Sequence, residues 1–169
     1  KNGYFDKDGS VTVSFKTTVD TDAGNYIAIF EGNTTTARVP FTVGKAKIDG
    51  FNLTYTGAPA TAPKAGDSVD NLFKDFKVTS NDTSKVVWDV TLTKANAQDA
   101  NRDIIASGDK VEVVVTITPD SNHVFDETAA GLAGNTADSA LKIGGQAGLK
   151  AVVDGGNAVT ITYTFTIGA

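Results

Sequence analysis

Asp6, Asp8 and Ser10 alternate along Asp6-Lys7-Asp8-Gly9-Ser10, two carboxylates and a hydroxyl around a glycine turn. Calcium takes about six to eight oxygen ligands, so this fragment is a calcium site only if further carboxylates join it. A calcium loop of about twelve residues closes on a bidentate glutamate, and Thr17 occupies that place here. The competing reading is a β-turn leading into a strand. Calcium is the one cofactor these residues suggest. The single histidine, His123, stands near Asp120 and Asp126, but no nucleophile is placed beside it for general-base work. The acids Asp126-Glu127, and Asp20 with Asp22, could suggest glycoside hydrolysis, which needs two acids at a defined separation across a cleft. Adjacent acids on short loops read more simply as solvated turn residues. Catalysis is therefore not expected.

Aromatic residues raise a second chemistry, stacking on sugar rings. Trp88 is the sole tryptophan, yet it alternates in phase with Val86 and Val90, which assigns it to a core. Tyr4 and Phe5 are the better candidates for exposed aromatics if the N-terminus is free, and they could equally dock on a neighbouring module. Asn33-Thr34-Thr35, Asn52-Leu53-Thr54 and Asn81-Asp82-Thr83 fit the glycosylation sequon, a pattern frequent by chance in a threonine-rich chain.

These residues must be carried by strands. Val11, Val13 and Phe15 alternate with polar neighbours, and Tyr26-Ile27-Ala28-Ile29-Phe30 and residues 37–43 follow, split by Glu31-Gly32-Asn33. Pro40 lacks a ladder donor, which predicts an edge strand or a bulge. A second set begins after Gly44-Lys45-Ala46-Lys47. It contains Phe51, Leu53 and Tyr55, then Val86, Trp88 and Val90, then Val111, Val113, Val115 and Ile117. Residues 70–78 fit a short helix or a strand after a turn, and residues 129–140 a loop or a short helix. Residues 149–153 and 159–167 flank Asp154-Gly155-Gly156-Asn157, a hairpin signal.

Composition narrows the class. The 169 residues are 40% hydrophobic and 21% charged, which describes a globular chain. Absence of cysteine excludes disulfides, thiolate metal sites and a cysteine nucleophile. A net charge of −5 argues against a nucleic-acid partner, which would require a basic stripe. No apolar run approaches the roughly 18 residues that span a bilayer, so membrane insertion within this chain is not expected. Neither a signal peptide nor a sorting tail is recognisable, so any anchor is expected elsewhere.

Two resemblances follow from particular residues. Asp22-Ala23-Gly24-Asn25-Tyr26 resembles the Asp-x-Gly-x-Tyr signature that opens strand F of immunoglobulin domains. The resemblance implies a Tyr26 hydroxyl bonded back to the chain, with Ala28 where antibodies carry a disulfide cysteine. Val86-Val87-Trp88, the run Gly108-Asp109-Lys110-Val111 through Thr118-Pro119, His123-Val124-Phe125 and residues 159–165 resemble a repeat of large Gram-positive surface and S-layer-associated proteins. That resemblance implies structural roles for Trp88, Phe125, Tyr163 and Phe165, beside Asp22 and Tyr26 in the first segment. Asn122-His123-Val124 departs from the usual Gly-Tyr pair. The Phe41-Thr42-Val43-Gly44 end of the first segment is echoed by Phe165-Thr166-Ile167-Gly168, which suggests tandem modules.

The expected architecture is an all-β, immunoglobulin-like β-sandwich: a partial module (strands E-F-G) over 1–45, followed by a complete module over 46–169. The expected function is a non-enzymatic structural module of a bacterial extracellular surface layer or filament. Its partners would be copies of itself or adjacent immunoglobulin-like modules. The alternative is a tether or carbohydrate-binding module of an adhesin or secreted glycosidase.

Overall fold

The computed structural model describes residues 14, 16, 18, 21–32, 34–80, 83–99, 102–129 and 137–168. The chain is all-β and divides into two compact units, Lys1–Gly44 and Lys45–Ala169.

In the first unit β1 (Gly24–Glu31) and β2 (Thr36–Val43) form an antiparallel hairpin. The Gly32 N–H donates to the Thr35 carbonyl at 2.8 Å and closes the turn. Pro40 sits opposite Ile27, and among the described residues β2 pairs with β1 alone, as a strand lacking one donor does. The strand expected over residues 11–19 falls largely outside the described residues.

The second unit is sandwich-like. β3 (Ala46–Ile48), β4 (Leu53–Thr56), helix α1 (Val69–Phe73), β5 (Lys77–Ser80), β6 (Ser84–Thr93), β7 (Lys110–Pro119), β8 (His123–Phe125), β9 (Ala137–Ile143), β10 (Gln146–Val153) and β11 (Ala158–Thr166) succeed one another. One layer is a five-stranded antiparallel sheet in the order β6-β7-β11-β10-β9. Against it lie the antiparallel pair β4–β5, the parallel pair β3–β8 and α1.

Period-two alternation explains the sheet, because successive side chains point to opposite faces. Val111, Val113, Val115 and Ile117 of β7 are wholly buried, opposite Phe165, Tyr163, Ile161 and Val159 of β11. On the other side of β7 they face Leu92, Val90, Trp88 and Val86 of β6. Each such side chain contributes about 1.5–3 kcal/mol when removed from water. Phe76, just ahead of β5, joins the layers. Its ring centroid lies 4.9 Å from Trp88, 5.4 Å from Tyr55 and 6.0 Å from Phe73, in edge-on geometries. Trp88 thus packs against the core, as its phase with Val86 and Val90 requires. The Tyr163 hydroxyl donates to the Leu141 carbonyl at 2.6 Å and lies 3.3 Å from the Tyr55 hydroxyl, so its burial leaves no polar atom stranded.

Residues 70–78 contain both expected forms in sequence. The α1 turn is capped where the Asn71 N–H donates to Ser68 Oγ at 3.2 Å, and strand β5 follows. Residues 137–140 are strand rather than loop or helix, since β9 pairs with β10 and completes the sheet. The hairpin between β10 and β11 turns on Asp154, Gly155 and Gly156, all at positive φ (52°, 62° and 87°). A Cβ at Gly156 would stand 2.4 Å from the Phe125 carbonyl oxygen, so glycine is required there.

Candidate functional site

The most distinctive surface is the hairpin of the first unit. Cross-strand partners share a face. Tyr26 with Phe41, Ala28 with Val39 and Phe30 with Ala37 make one face; Ile27 with Pro40 and Ile29 with Arg38 make the other. The first face is largely apolar, whereas the second sets Ile27, Ile29 and Pro40 among Asn25, Glu31, Thr36, Arg38 and Thr42. Ile27 is 57% exposed, and Ile29 and Val39 are each 49% exposed. No described residue before Ile48 is fully buried. The Tyr26 and Phe41 rings stack at 5.6 Å, and the Tyr26 hydroxyl donates to the Asp22 carbonyl at 2.8 Å. That bond runs back along the chain as expected and ties the approach segment to β1. Across the opposite face the Thr42 hydroxyl donates to Asn25 Oδ1 at 2.8 Å. A shallow, open depression on the hairpin is lined by Asn25, Tyr26, Ile27, Pro40, Phe41 and Thr42.

In the second unit the polar clusters act on loops. Asp109, 2% exposed, accepts from the Ala106 N–H at 2.8 Å, the Ala95 N–H at 2.9 Å and Lys94 Nζ at 3.1 Å. Those donors, the Ala106 N–H foremost, hold its carboxyl below the usual aspartate range. Asp103 is lowered first by the Ser68 hydroxyl and then by the Asp70 N–H, an arrangement that fixes the start of α1. Asp120 is lowered chiefly by its hydrogen bond with His123, whose Nδ1 lies 2.6 Å from Asp120 Oδ1. Asp126 is lowered chiefly by the Thr128 hydroxyl, with Lys47 Nζ at 3.4 Å. His123 therefore opens strand β8 beside an acid that shapes the preceding turn.

These four carboxylates give a pH dependence. A carboxyl with a depressed folded pKa contributes stability above its unfolded value and loses it as pH falls through the folded value. Urea midpoints of the second unit are expected to fall as pH drops below about 4, the unfolded aspartate value. Asp109→Asn should flatten that slope; an unchanged slope would remove Asp109 from the account. Trp88 fluorescence reports the transition.

Among the described residues no group of three or more His, Asp or Glu side chains is gathered to hold a metal ion. Asp6, Asp8 and Ser10, the candidate calcium ligands, lie outside the described residues, as do Tyr4 and Phe5. Trp88, Phe125, Tyr163 and Phe165 share one core, whereas Asp22 and Tyr26 belong to the first unit. Among the described residues no aromatic side chain is exposed. Sequence reasoning missed the Asp109 clamp, because a Gly-Asp pair before a strand reads as an ordinary turn. The available signal was Lys94, a cation placed directly after β6. No family model, curated protein or solved structure matches this chain.

Proposed function

We propose that this chain is a non-enzymatic, immunoglobulin-like structural module of a bacterial extracellular assembly, joined to neighbouring copies through its first unit. One observation carries the reading: the β1–β2 hairpin has apolar side chains on both faces and no fully buried residue. Among the described residues the first unit holds only this two-stranded hairpin, which by itself is at best marginally stable in water and gains from added strands and a covering layer. A neighbouring copy supplies both by β-strand addition, in which main-chain hydrogen bonds give affinity and alternating side chains give register. The second unit, which encloses its own core, then serves as the spacer.

The test is negative-stain electron microscopy with sedimentation of the purified chain over a range of concentrations. Filaments or lattices are expected, and Ile27→Lys combined with Ile29→Lys should abolish them while leaving Trp88 fluorescence unchanged. A chain that stays at 17.5 kDa throughout would defeat the reading. Screening as an adhesin module, against carbohydrates first, would then follow.

A further inference from the structure

The second unit receives and releases the chain at opposite ends of its long sheet. At one end the Ala46 N–H donates to the Asn122 carbonyl at 2.8 Å, next to the end of β7 where Pro119 pairs with Ser84. At the other, β11 leaves beside Lys110, the first residue of β7. The ten residues of β7 separate these ends by about 30 Å, at roughly 3.4 Å per residue.

We infer that the second unit is a tension-bearing link, a conclusion that rests on the tandem-assembly reading above. Pulling Gly168 away from Lys45 draws β11 along its own axis, between eight paired positions on β7 and five on β10. All those backbone bonds are loaded in shear. The exit is reinforced beyond the strand. The Gly108 N–H donates to the Ile167 carbonyl, the Ile167 N–H to the Asp109 carbonyl and the Ser107 hydroxyl to the Gly168 carbonyl, each at 2.9 Å. This loop is itself fixed by the Asp109 carboxylate, which binds Ala95, Ala106 and Lys94. Asp109 thus acts as an anchor. Its main chain grips the departing strand, while its buried side chain ties the gripping loop to the end of β6.

Single-molecule force spectroscopy of the whole chain tests this. The chain lacks cysteine, so paired cysteine substitutions give unique attachment points. Handles at Lys45→Cys and Gly168→Cys load the link axis; handles at Lys85→Cys and Ser121→Cys peel β6 from β7. Rupture force on the link axis should be about twofold higher or more, because shear breaks several backbone hydrogen bonds together and peeling breaks them singly. Equal forces would overturn the inference. Asp109→Asn should lower the force on the link axis alone, and an equal fall on both axes would overturn the anchor. Ser107→Ala, at an exposed residue, provides the same comparison if Asp109→Asn does not fold. Single molecules are read, so self-association does not enter. Equal forces with assembly intact would sink only this inference; a strong link that never assembles would sink the assembly reading.

Discussion

Gly148→Val is expected to destabilise the second unit by about 3 kcal/mol or more, at the upper end of what overpacking costs. A Cβ at Gly148 would lie 2.3 Å from Ile161 Cγ2 and 2.6 Å from Tyr163 Cζ. Neither neighbour has room to yield, since both are wholly buried and Tyr163 is held by its bond to the Leu141 carbonyl. The register of β10 against β9 shifts between Ala147 and Gly148, so backbone and ring approach most closely where the ladder is irregular. The thermal midpoint, followed through Trp88, should fall by roughly 10 °C. Gly50→Ala is the control, because no atom lies within 4 Å of its added Cβ. An unchanged midpoint for Gly148→Val would mean that β10 stands farther from β11 than described.

Removing Lys1–Gly44 is expected to leave a cooperatively folding remainder that has lost all self-association. The remainder keeps every residue of the buried core, from Ile48 to Ile167. A single transition by Trp88 fluorescence and by circular dichroism, at nearly the midpoint of the whole chain, is the expected result. Loss of that transition would erase the boundary between the units. Retained assembly would move the joining surface off the β1–β2 hairpin and onto the second unit.

Much of the second unit can be read from the sequence because its longest strands obey one rule without interruption. Val111 to Ile117 and Val159 to Phe165 alternate cleanly, and Trp88 falls in step with Val86 and Val90. The Asp154-to-Asn157 hairpin is equally plain, since only glycine-rich turns take three consecutive positive φ values readily. What escapes is short, distant or irregular. Ala46–Ile48 has too few residues to show a period, and its partner β8 lies far along the chain. Lys150 breaks the alternation of β10, although it lies on the core side opposite Ile161 with its ammonium 5.6 Å from the Phe51 ring centroid. Its aliphatic stem makes that placement affordable. Helix α1 is legible only as one of two forms that residues 70–78 fit, and the Ser68 cap with tertiary contacts fixes where it starts. Of the candidate sites, the tyrosine signature in the first unit was visible because it is local. The Asp109 clamp was not, because its donors come from separate stretches at Lys94, Ala95 and Ala106.

The position of β11 also governs the order in which the molecule is made. It is the last strand in sequence, yet it lies between β7 and β10 in the sheet. A nascent chain ending before Ala158 leaves the facing edges of both neighbours unpaired. Ile48 must likewise wait for Phe125, its partner in the parallel pair. At about 5–20 residues per second, a ribosome spends several seconds between those two residues. The second unit therefore closes late, when its final strand arrives.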